Sequence, residues 1–242
     1  MLKATLSRLF HSVRTWQTTL FAGLQVFGLI LYASSTQFSA YNSPRISQIT
    51  WLIVCNFLIF GTLYQLIIPV LAQSRLSQLW LLTTSVSWLV GLLIMPLSVT
   101  LLTGLTLLDL ALLFWLKSRF FNEWGLLTTA VLLGLNATNF FLIDHQYVSV
   151  IFFSVISLTH LLVFYLSGPL FFTATYLIQL EIGGTIGCLI TLISTHRSLI
   201  ATSVTLLIIG GWLFIMLKQA RRPSQLALLS TVLTVIVLII SR

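Results

Sequence analysis

From Thr15 to Ile240 the chain is a succession of apolar runs, each about 17 to 25 residues long and nearly free of charge, separated by short stretches that hold most of the Lys and Arg. A helix needs about 20 such residues to cross the hydrocarbon core of a bilayer, so each run has the length of one crossing. Charged residues make up only 7% of the chain and hydrophobic ones 58%, against roughly 25% charged in a soluble domain. Most of its surface therefore suits lipid rather than water. The runs are too long and too evenly apolar for the strict alternation of a membrane β-barrel strand. The expected fold is an all-α polytopic transmembrane helical bundle.

The runs are Thr15–Ser34, Gln48–Ala72, Leu79–Met95, Ser98–Leu116, Gly125–Ile143, Val148–Leu166, Leu170–Ser194, Ser198–Leu217 and Ser224–Ile240, which gives about nine spans, seven at the least. Leu79–Leu116 is twice the length of one crossing, so Pro96 with Ser98 is expected to mark a tight turn. The same argument places a break at Ser167-Gly168-Pro169. With the N-terminus in the cytoplasm, the inside segments collect Lys3, Arg8, Arg14, Arg75, Lys117, Arg119, Lys218, Arg221 and Arg222, nine of the 12 basic residues, and leave Arg45, Arg197 and Arg242 outside. That partition predicts a cytoplasmic N-terminus and an outside C-terminus, as expected of a multi-pass protein of the cell membrane. Trp16, Trp51, Trp80, Trp115 and Trp124 lie at or near run ends, where an indole prefers the headgroup level, and Trp88 and Trp212 lie deeper.

Residues 1–14 place Leu2, Leu6, Leu9 and Val13 at helical spacing opposite Lys3, Arg8 and Arg14, the pattern either of a short amphipathic helix on the cytoplasmic leaflet or of a frayed basic tail. Residues 15–240 form one transmembrane domain. The stretches between runs are too short to bury a soluble core. The net charge of +8 is scattered in ones, twos and threes, which reads as topological charge and not as a nucleic-acid surface. Cys55 and Cys188 both sit within apolar runs and read as small packing residues, with no disulfide framework or four-ligand zinc site to be built from them. No metal or other cofactor is expected.

Polar residues inside the apolar runs are the candidates for function. Asp109 and Glu181 are two of four acids in the chain, and both lie well inside runs. A charged side chain at that depth costs roughly 2.5 to 3.5 kcal/mol on insertion scales, so each is expected to face the bundle interior. His160 is a third titratable group at similar depth. From helical rise, Asp109 and His160 should lie about 9 to 11 Å from the cytoplasmic ends of their helices and Glu181 about 16 Å. Around Glu181, the residues Ala174, Gly184, Thr185 and Cys188 form a small, weakly polar stripe that favours helix contact. Thr128, Thr129, Asn136 and Asn139 share one side of the fifth run, a stripe that serves either as interhelical glue or as the lining of a path. Asp109 stands 13 residues after Pro96 and Glu181 stands 12 after Pro169, as in opposed hairpins of an inverted repeat, although the flanking residues share no further identity.

Enzyme signatures are thin: there is no H-E-x-x-H, no G-x-S-x-G and no phosphate-binding glycine loop, and no catalytic residue is assigned. Asp144-His145 reads as a solvated turn in preference to a metal site. The basic amphipathic start followed by a span is similar to the permease subunits of small ABC exporters, whose helices are fewer and more widely spaced, while spans packed with minimal loops look more like small secondary carriers. No residue motif carries either likeness. The leading expectation is a secondary carrier or permease in which Asp109 and Glu181, with His160, Asn136 and Asn139, form the path of a small molecule or ion. A second is the membrane subunit of a larger assembly, such as an ABC-type exporter or an immunity complex, with a partner subunit or ATPase and with acids that merely pair helices. A third is an intramembrane enzyme acting on a lipid-like substrate through His160. The bilayer is a partner in all three, and nucleic acid in none.

Overall fold

A computed structural model describes residues 13–34, 45–67, 74–116, 119, 122–145, 168, 182–183, 186, 190, 199–218 and 223–240. Every regular element among them is helical, and no strand occurs among the described residues. The helices are α1 (Val13–Ser34), α2 (Ile46–Ile67), α3 (Ser74–Ile94), α4 (Leu97–Leu116), α5 (Glu123–Ala137), α6 (Asn139–His145), α7 (Leu199–Lys218) and α8 (Pro223–Ile240). Among the described residues three helical segments, Ile46–Ile67, Arg75–Ile94 and Leu97–Leu116, are long and apolar enough to cross a membrane, and Trp16–Leu31 and Trp124–Ala137 are shorter apolar stretches.

Helix ends follow local chemistry more than hydropathy. The third run was expected from Leu79, but α3 starts at Ser74, because Ser74, Arg75 and Gln78 are compatible with helix and polar only in side chain. The Pro96 turn is present: α3 stops at Ile94, α4 starts at Leu97, and the Pro96 carbonyl accepts the Thr100 amide at 3.2 Å. Gln48 binds two ends together. Its Oε1 accepts the Arg45 amide at 3.1 Å, reaching back across the first turn of α2. Its Nε2 donates to the Ile94 carbonyl at 3.2 Å and so satisfies a last-turn acceptor of α3.

The fifth run, expected as one helix over Gly125–Ile143, divides instead into α5 and α6 at Thr138. Thr138 donates its amide to the Leu135 carbonyl at 3.1 Å and its hydroxyl to the same oxygen, which tightens the turn, and its own carbonyl then accepts the Leu142 amide at 3.0 Å. A hydroxyl and two flanking amide side chains, Asn136 and Asn139, compete here with the helical ladder. The Val148–Leu166 and Leu170–Ser194 runs lie outside the described residues except at Ile182, Gly183, Ile186 and Ile190, which are helical, as is Gly168 between the two runs.

α2 is the central element. It packs on α1, α3, α4 and α6, and half of its span is buried (50%, against 17% for α3). α1 packs on both α2 and α8, and α4 packs on α3 and α5. The core runs through Phe21, Leu52, Cys55, Ile59, Leu110 and Leu126. Cys55 is buried and unbridged, as a packing residue should be.

Indole rings seated on glycines set the α2–α3–α4 spacing. Trp51 of α2 lies over Gly91 of α3, and Trp80 of α3 lies over Gly61 of α2, so closely that a Cβ at either glycine would enter the facing ring. Trp88 of α3 covers Gly104 of α4 in the same manner, with its Nε1 3.0 Å from where a Cβ would stand. Trp51 also donates to the Ser87 carbonyl at 2.7 Å, and Trp88 to the Thr100 carbonyl at 2.8 Å. Trp51, expected at the headgroup level, is therefore a packing residue, as is Trp80, which tilts against Phe57 at 5.9 Å. The reason is the glycine opposite each ring, which leaves a socket that no lipid headgroup has to fill.

Gly91→Ala should destabilise the folded protein by about 1 to 3 kcal/mol, the usual cost of overpacking a well-filled core. Denaturant unfolding of the purified protein in mixed micelles measures this. Combining it with Trp51→Leu should return part of that loss, and strict additivity of the two changes would contradict the ring-in-socket account.

Candidate functional site

Along α4, Thr100, Thr103, Thr106 and Asp109 recur every third residue and are all buried. Each threonine hydroxyl bonds back into its own helix, Thr100 to the Leu97 carbonyl at 3.0 Å, Thr103 to Val99 at 2.8 Å and Thr106 to Leu102 at 3.0 Å. This row faces α5. The steps across the interface run in opposite directions on the two helices: Thr103 meets Asn136 Oδ1 at 3.3 Å, Thr106 meets the Leu132 carbonyl at 3.3 Å, and Asp109 Oδ2 accepts the Thr129 hydroxyl at 2.9 Å. An antiparallel α4–α5 pair thus carries a polar seam about 9 Å long from Thr103 to Asp109.

Asn136 is the hub of one end of the seam. Its Nδ2 donates to Asn56 Oδ1 of α2 at 2.7 Å. Its Oδ1 accepts the Asn139 amide of α6 at 2.9 Å as well as the Thr103 hydroxyl. Asn139 Nδ2 also donates to Thr103 Oγ1 at 3.1 Å, and Asn56 Nδ2 closes the set on the Leu52 carbonyl at 2.9 Å. Four helices meet through these four side chains. Only Asn139 Oδ1 lacks a partner among the described residues.

The other end of the seam is chemically different. Asp109 is 1% exposed, and the Thr129 hydroxyl is its one hydrogen-bond donor among the described residues, so Oδ1 stands buried and unpartnered there. An isolated carboxylate in an apolar interior is costly with one donor. Oδ1 is thus open to a proton, a cation or a donor from a further side chain.

A second buried polar set joins α1, α2 and α8. Gln25 Nε2 donates to the Tyr64 hydroxyl at 3.1 Å, that hydroxyl lies 2.6 Å from Thr231 Oγ1, and Gln65 Nε2 donates to Thr18 Oγ1 at 2.6 Å. All its members are neutral, which suits interhelical fastening.

Of the residues expected to form a path, the structure brings Asn136 and Asn139 into one cluster and places Asp109 about two turns along the same seam. Thr129 belongs to the seam, but Thr128 does not: it is half-buried and donates to the Trp124 carbonyl of its own helix at 2.8 Å. Glu181 and His160 lie outside the described residues, as do the stripe at Ala174, Gly184, Thr185 and Cys188 and the first 12 residues. Asn56, Thr103 and Tyr64 were not singled out by the sequence reading. Asn56 carried the signal of a lone amide in an apolar run, and Thr103 that of a three-residue spacing ending at Asp109. Among the described residues no three His, Cys, Asp or Glu side chains gather as metal ligands would. Comparison with protein families, with curated proteins and with solved structures finds no match to this chain.

Asn136→Ala should cost more stability than Asn139→Ala, because it strands Asn56 Oδ1 and releases both Thr103 and Asn139. Interhelical hydrogen bonds in membranes average about 0.6 kcal/mol, so a loss of about 1 to 2 kcal/mol is expected for Asn136 and roughly half that for Asn139. Parallel unfolding curves of the two variants give the ranking.

Proposed function

We propose that this chain is an integral protein of the cytoplasmic membrane that moves a proton or small cation, alone or coupled to a second substrate, as a secondary carrier or permease. In this reading it has nine spans, a cytoplasmic N-terminus and an outside C-terminus, the arrangement that leaves nine of the 12 basic residues on the inner side. The observation that supports transport is Asp109: an acid inside an apolar helix, 1% exposed, with one carboxylate oxygen bound to Thr129 and the other unpartnered among the described residues. Ionisable residues at such depth serve most often as relays or ion sites, and a carboxylate held on one side only is poised to exchange what it binds on the other. Glu181 and His160 are the further groups of the proposed path, with Asn136 and Asn139 lining it.

The closed amide cluster favours a second reading. Asn56, Thr103, Asn136 and Asn139 satisfy one another almost completely, as expected of helix glue in the membrane subunit of a multi-component assembly. That reading calls for a stoichiometric partner when the protein is purified from its native membrane in mild detergent.

Reconstituted protein with a pH dye trapped in the vesicles should take up protons under an imposed membrane potential. Asp109→Asn combined with Glu181→Gln should abolish uptake while leaving the gel-filtration profile and melting behaviour those of folded protein. Uptake at the unsubstituted rate in the folded double variant would reject the coupling role of both acids.

A further inference from the structure

The contacts between successive helices fix which ends lie together. Thr18 near the start of α1 meets Gln65 near the end of α2, and Gly61 near the end of α2 meets Trp80 near the start of α3. α3 turns at Pro96 into α4, and Asp109 in the second half of α4 meets Thr129 in the first half of α5. The starts of α1, α3 and α5 therefore share one rim of the bundle with the ends of α2 and α4. On this rim stand Trp16, Trp115 and Trp124, which are 67%, 75% and 74% exposed. Among the described residues no other tryptophan is classed as exposed, and Trp51, at the opposite rim, is 6% exposed. Arg75 and Arg119 are exposed on the tryptophan rim, Arg14 occupies the first turn of α1, and Glu123 begins α5 there, the one acid on this rim among the described residues.

We infer that this rim binds anionic phospholipid headgroups. Three exposed indoles on one rim match the headgroup boundary, where an apolar ring with one N–H donor is best placed. Guanidinium groups on the same rim present forked donors that fit phosphate oxygens in pairs. A zwitterionic headgroup offers the same phosphate with a cancelling ammonium. An anionic one leaves its charge for Arg75 and Arg119, so the charge of the rim selects anionic lipid. No residue of the polar seam stands among these rim residues, so lipid binding here does not depend on the proposed transport.

The test uses the full-length protein in phosphatidylcholine vesicles containing a fixed minor share of phosphatidylglycerol, with bromine placed near the headgroup of one lipid or the other. Brominated phosphatidylglycerol should quench tryptophan fluorescence more than brominated phosphatidylcholine at equal mole fraction. High salt should remove that excess, as should Arg75→Gln with Arg119→Gln, and Trp16→Phe, Trp115→Phe and Trp124→Phe together should remove most of the quenching itself. Equal quenching by the two lipids in the unsubstituted protein, or an excess that survives salt, overturns the inference without recourse to any variant.

Discussion

In lipid the solvent gives helices little reason to associate, because hydrocarbon tails are as apolar as the side chains they would replace. Contact must come from close packing and from polar groups with nowhere else to bond. The Asn136–Asn56 hydrogen bond, 2.7 Å between fully buried side chains, is where this constraint is most concentrated. It joins α5 to the central helix, and through Asn136 Oδ1 it also holds Thr103 of α4 and Asn139 of α6. The turn at Thr138 belongs to the same arrangement. Asn136 and Asn139 lie on either side of the break between α5 and α6 and still meet at one point. The interruption is therefore tied to the hub rather than to a loss of apolar character.

Close packing on glycine is the other solution, and α2 with α3 uses it beside the buried Thr62–Thr84 hydroxyl pair at 2.9 Å. Rings on glycines bring the two backbones close at two levels, Trp51 on Gly91 and Trp80 on Gly61, each helix giving one ring and receiving one. The reciprocity resists sliding, because a shift that relieved one socket would drive the other ring against backbone. Trp51 and Trp88 add a hydrogen bond from each indole to a carbonyl of the facing helix, a use of the N–H that lipid could not supply. α1 and α8 rely instead on the hydroxyls and amides around Tyr64. The first and last described helices are thus fastened to the central helix through one shared hydroxyl, that of Tyr64.

The sequence made the apolar runs and the Pro96 turn legible because both are written in consecutive residues: a run of the right length, and a proline where a helix cannot continue. Helix starts were less so. Hydropathy marks where a side chain meets lipid, whereas α3 begins five residues earlier, among polar residues that are sound helix formers. Trp51 and Trp124 look alike in sequence, each near a run end, yet one fills a glycine socket and the other is 74% exposed. What separates them is the residue across the interface, Gly91 in one case, which is 40 positions away and invisible to local pattern. Asn136, Asn139 and Asp109 stood out as polar residues in apolar surroundings. Their grouping did not, since the register between α4 and α5 that joins Thr103 to Asn136 and Asp109 to Thr129 is a tertiary fact.

The polar seam is uneven, and its unevenness carries the functional argument. Were it only adhesive, each member would be expected to find its partners, as the hub side chains nearly do. Asp109 does not: one oxygen has a hydroxyl donor and the other has none among the described residues, in a helix otherwise supplied with threonines that satisfy themselves on their own backbone. An asparagine at that position would make the same bond to Thr129 without the cost of an acid in an apolar interior. The carboxyl group is therefore the costly choice for fastening and the apt one for binding, since it alone offers a second oxygen able to take and release a proton or a cation.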